Sequence, residues 1–127
     1  MTTSVSGRVI TDEEMVVEVL QRAEDILRTQ GWTQHVMARD KTGRETGYFD
    51  ESACSFCAMG AIYRAAQDLT KQTGERAYGY AAPVAVSQLK TAGGSYLRSS
   101  VPGWNDDENT TIDAVLERFQ AASKLLT

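Results

Sequence analysis

Residues 11–30 read TDEEMVVEVLQRAEDILRTQ. Apolar side chains recur at Val16, Val19, Leu20, Ala23, Ile26 and Leu27, which places them on one face of a helix. Thr11 with Glu14 three positions later matches a capping box, in which each residue satisfies a free N–H of the other's first turn. Gly31 follows as a natural stop. This stretch predicts a long amphipathic helix over 12–30, and a helix with one apolar face needs others to cover it.

On its N-terminal side, residues 1–10 (MTTSVSGRVI) are polar and carry no helical period. They are expected to form a flexible arm, with Val9 and Ile10 packing at the helix start, before a single globular domain over 11–127. They hold no apolar core of the kind a secretory signal needs.

On its C-terminal side, Gly31 to Arg39 and Glu45 to Phe49 flank the turn-rich tip Asp40-Lys41-Thr42-Gly43-Arg44, which predicts a small hairpin. An isolated hairpin is marginal, so this one should lie on the helices. Asp50 or Ser52 can cap a second helix over 52–70, with Ala53, Phe56, Cys57, Gly60, Ala61 and Leu69 inward. Residues 71–79 (KQTGERAYG) read as a polar loop. Pro83 suits the first turn of a short helix ending at Gly93-Gly94. Ser95 to Gly103 reads as loop or one irregular turn, and Trp104 to Asn109 as a polar loop opened by an aromatic. Thr110 or Thr111 caps a last helix over 111–125, with Ile112, Val115, Leu116 and Phe119 on its apolar face. The expected fold class is mainly α (α+β): a compact bundle of about four helices with a small β-hairpin between the first and second.

Composition agrees with one globular domain. The chain has 127 residues, 42% of them hydrophobic and 24% charged, and a formal charge of −4. No apolar run approaches the roughly 20 residues of a membrane helix. Scattered basic residues and a net negative charge argue against nucleic acid or an anionic membrane as partner, since both need clustered cations. Without a secretory signal, the cytoplasm is the expected compartment and Cys54 and Cys57 are expected as thiols.

Four motifs stand in order: Gly31-Trp32, the turn Asp40 to Arg44, Cys57-Ala58-Met59-Gly60-Ala61, and Trp104-Asn105-Asp106. Together, over residues 11–125, they resemble a family of small uncharacterised proteins encoded by bacteria and their phages. The 71–103 region departs from that pattern. The resemblance implies a one-domain fold and no established activity.

Several residues invite chemical roles. A thiol near a helix N-terminus has its thiolate stabilised by free N–H groups, so Cys57 is a candidate nucleophile, with His35 as base and Asn105 or Asp106 as orienter. The bland alternative is a small buried cysteine. The Cys54-x-x-Cys57 pair lacks the strand and βαβ setting of a redox motif, and with a single His it lacks the ligands for zinc. The acidic spacing after Trp104 does not fit a calcium loop. No metal or cofactor is therefore expected. Trp104, Asn105, Asp106 and Asp107 read either as a recognition loop or as a core plug with local turns. Tyr78 and Tyr80 read either as interface aromatics or as ordinary loop tyrosines. The expectation is a non-enzymatic accessory or protein-binding domain, in a phage setting acting on a host protein. The alternative is a small cysteine-dependent enzyme. Nothing in the pattern names the protein partner, and four helices leave room for a homodimer.

Overall fold

A computed structural model describes residues 2–5, 8–93 and 100–126. Helix α1 (Asp12–Thr29) forms where the periodicity predicts it. The Thr11 hydroxyl accepts the Glu14 amide at 3.1 Å and donates to the Glu14 carboxylate at 3.2 Å, which closes the first turn. Met15, Val16, Val19, Leu20, Ala23, Ile26 and Leu27 are buried along its inner face. Four further helices follow: α2 (Ala58–Thr73), α3 (Ala77–Ala92), the one-turn α4 (Val101–Asn105) and α5 (Ile112–Lys124). Helices α1 and α3 pack on each other and on both α2 and α5, so they form the centre and the other two flank them.

Five short strands complete the described chain. Within the expected arm, β1 (Thr2–Val5) and β2 (Arg8–Thr11) pair antiparallel, and Ile10 is buried in the core. The expected second hairpin is present as β3 (Ala38–Arg39) and β4 (Glu45–Thr46). Asp40 shapes its tip: one carboxylate oxygen accepts the Thr42 amide (2.8 Å), the Thr42 hydroxyl (2.6 Å) and the Arg44 amide (3.1 Å). The Thr42 hydroxyl above all, with the two amides and the nearby Arg44 charge, holds the Asp40 carboxyl below its ordinary range against an opposing desolvation cost. Gly43, with φ +87°, takes the left-handed position of the turn.

Three expectations are corrected. Helix α2 starts at Ala58 rather than near 52, because the preceding backbone is already spent. A third strand, β5 (Ser55–Phe56), pairs with β3, and Asp50 bonds Ser52 in a local turn instead of capping a helix. Cys54 and Cys57 therefore both precede the helix instead of lying within it. Helix α3 starts at Ala77, so the polar loop is shorter than expected and Pro83 lies inside the helix rather than in its first turn. Gly74, at φ +75°, makes the turn between α2 and α3. Trp104 and Asn105 belong to α4, not to a loop. Of the loop or irregular turn expected from Ser95 to Gly103, residues 95–99 lie outside the described residues, as does Gly94, and Val101 to Gly103 belong to the one-turn α4. Helix α5 matches its expected span closely, with Thr111 as cap.

Candidate functional site

Three of the four sequence motifs converge at one end of α2. Gly31 leaves α1 with φ +152° and lies close to the backbone before β5. From there Gly31 and Thr33 hydrogen-bond Phe56 on both sides, its amide to Gly31 and its carbonyl from Thr33, each at 3.0 Å. This presents Trp32 to the interior. Cys57, buried at 5% exposure, is the N-cap of α2, and its sulfur accepts the Gly60 amide at 3.2 Å. The next free amide, that of Ala58, is capped from elsewhere in the chain by Asn105 Oδ1 at 2.9 Å.

Asn105 is fully buried and uses its whole hydrogen-bonding capacity. Its Oδ1 also accepts the Trp32 indole N–H at 2.8 Å. Its Nδ2 donates to the Thr33 carbonyl at 3.1 Å and to Asp106 Oδ1 at 2.9 Å. That same Asp106 oxygen accepts the backbone N–H of His35 at 2.7 Å, and Gln34 Nε2 donates to the Asn105 and Asp107 carbonyls at 3.0 Å each. Gly60 completes the junction. A Cβ there would overlap the Met37 carbonyl oxygen, so this part of α2 passes directly against the backbone entering β3.

Little of this arrangement is open for chemistry. Burial pushes the Cys57 thiol above its ordinary value; the Gly60 and Met59 amides oppose the rise and the Asp106 carboxylate adds to it. The thiol also lies 3.8 Å from Met37 Sδ. His35 is exposed at φ +75°, and among the described residues its imidazole makes no hydrogen bond. The structure thus brings Asn105 and Asp106 to the main chain around His35 and Cys57, but does not link thiol, imidazole and amide in a nucleophile–base–orienter chain. Among the described residues, no three or more His, Cys, Asp and Glu side chains gather to hold a metal.

The predicted binding residues part company. Trp104 is half-buried, with the Arg118 guanidinium stacked 3.8 Å from its ring centre. Asp106 is half-buried in the junction, while Asp107 is exposed and caps its own turn at Asn109. Tyr78 is not an exposed loop residue: it is fully buried on α3, with its hydroxyl donating to Glu18 at 3.1 Å. Tyr80 is 82% exposed. It borders a feature that the reading of 71–79 as loop concealed. Ala77, Tyr80, Ala81 and Val84 form an i, i+3, i+4, i+7 stripe on α3, and with Met15 and Val16 of α1 and with Leu126 they line an open apolar groove of about 350 Å³. The stripe is legible in the sequence once Pro83 is allowed inside the helix.

These features define a small, mainly helical α+β domain whose polar centre is a buried junction and whose apolar groove opens between two helices. The chain belongs to a family of unknown function, DUF6197, whose pattern matches residues 11–125. No curated protein and no solved structure matches it. No helix among the described residues is long and apolar enough to cross a membrane.

Proposed function

We propose that this protein is a non-enzymatic binding domain that docks a partner protein in the groove between α1 and α3. The observation that carries the reading is the exposure of large apolar side chains around that groove, with Tyr80 at 82% and Val84 at 52%. Apolar side chains left in water at a concave surface are what a protein interface covers. Of the groups that the enzyme alternative would use, Cys57 caps α2 and Asn105 braces the junction, which favours a structural role for both. The two free thiols suit a reducing cytoplasm as the place of action. The resemblance to bacterial and phage proteins adds a host protein as the partner.

The test is paired capture from a bacterial lysate with tagged wild type and Val84→Asp, both checked for unchanged circular dichroism. A partner held by the wild type and lost from Val84→Asp supports the reading. Equal retention by both places binding elsewhere and sinks the groove. Rapid, activity-linked labelling of Cys57 in the folded protein would favour the cysteine enzyme instead.

A further inference from the structure

We infer that the occupant of the groove is an amphipathic helix of another protein carrying Lys or Arg beside its apolar face. This rests on the binding-domain reading above and goes beyond it in naming the partner's chemistry. The groove runs between two helices and offers a stripe at helical spacing, the form that receives a third helix through its i, i+3, i+4 and i+7 side chains. Its charged lining residues, Asp12 and Glu13, are both acidic and stand exposed in the first turn of α1. None of the residues lining it is Lys or Arg. A cation on the incoming helix complements this end of the groove, whereas an acidic helix meets like charge. The same argument disfavours a second copy, because a two-fold pair of chains each carrying −4 would bring two such acidic turns toward one interface.

The test uses the full chain and two synthetic helical peptides of about 14 residues, enough to cover the stripe with a turn at each end. Both carry the same leucine face; one has Lys and Arg flanking it and the other Glu. Binding is read by fluorescence anisotropy and located by amide chemical shifts. The basic peptide is expected to bind roughly tenfold more tightly than the acidic one, with the difference shrinking as salt rises past about 0.15 M. Val84→Asp abolishes binding, and Glu13→Lys removes or reverses the preference. Shifts are confined to α1, α3 and the residues near Leu126.

Equal affinity of the two peptides, still lost in Val84→Asp, overturns the basic occupant while leaving a protein-binding groove. If neither peptide binds and the chain self-associates through the same face, the occupant is a second copy and the inference fails. If neither binds and the chain stays monomeric, the groove reading fails with it.

Discussion

Asn105 Oδ1 accepts the indole N–H of Trp32 at 2.8 Å across 73 positions of sequence. The same oxygen caps Ala58, so one amide ties the segment after α1 to the start of α2. Within the Trp-Asn-Asp motif, Asn105 and Asp106 thereby act as a cross-brace.

Asn105→Ala should cost about 2–4 kcal/mol, since it leaves the indole N–H, the Ala58 amide and the Thr33 carbonyl buried without their partner. Asn105→Asp keeps the shape, removes both donors and sets a second carboxylate beside Asp106, so it should cost at least as much. Urea denaturation measures both. A loss under about 1 kcal/mol for the alanine variant would show that the junction does not brace the fold.

Gly60→Ala and Gly79→Ala should move stability in opposite directions. Alanine is the better helix former by about 1 kcal/mol. At Gly79 an added Cβ meets nothing within 4 Å, so most of that gain should appear. At Gly60 it runs into the Met37 carbonyl, and the net change should be a loss of about 2 kcal/mol. Thermal melts of the two variants side by side decide the matter; a stabilised Gly60→Ala would mean that β3 and α2 can separate freely.

Cys57 should resist alkylation in the native protein near neutral pH and react on unfolding, while half-exposed Cys54 reacts first. The burial that raises the Cys57 pKa also predicts a pH dependence. Above the unfolded thiol's pKa of about 8.5, the unfolded chain has released a proton that the native chain still holds, so stability falls as pH rises. Below that pH the contribution is fully present. Cys57→Ser keeps a capping oxygen and should flatten this alkaline decline. Identical alkaline unfolding profiles for the two proteins would contradict the assignment.

His35 should tolerate glycine better than valine. Its φ of +75° lies in the left-handed region, easy for glycine and strained for a β-branched residue. His35→Gly should stay within about 1 kcal/mol of wild type, and His35→Val should lose about 1–2 kcal/mol. Neither change should alter the native alkylation rate of Cys57. A slowed rate in His35→Gly would instead reveal an imidazole acting on the thiol.

What was legible from sequence is what is local. Thr11 with Glu14, the apolar face from Val16 to Leu27, the Asp40 turn and the Thr111 cap each involve residues within a few positions of one another. The hairpin of β3 and β4 was readable from its tip. Its third strand was not, because Ser55 and Phe56 pair with residues 16 to 18 positions away and carry no alternation long enough to read. Tyr78 looked like a loop residue because Gly74, Gly79 and Pro83 break the pattern around it; the stripe at Ala77, Tyr80, Ala81 and Val84 was present beneath those breaks.

By itself, then, the sequence determined the two amphipathic helices at either end of the domain, their caps and the mainly helical class. Short-range hydrogen bonds and side-chain period act there without reference to distant residues. Tertiary structure alone decided that Cys57 caps α2, that Asn105 is buried with every donor and acceptor engaged, and that one stripe of α3 remains uncovered. Those outcomes depend on which segments meet across tens of residues, and on how much apolar surface the neighbouring helices α1, α2 and α5 can cover.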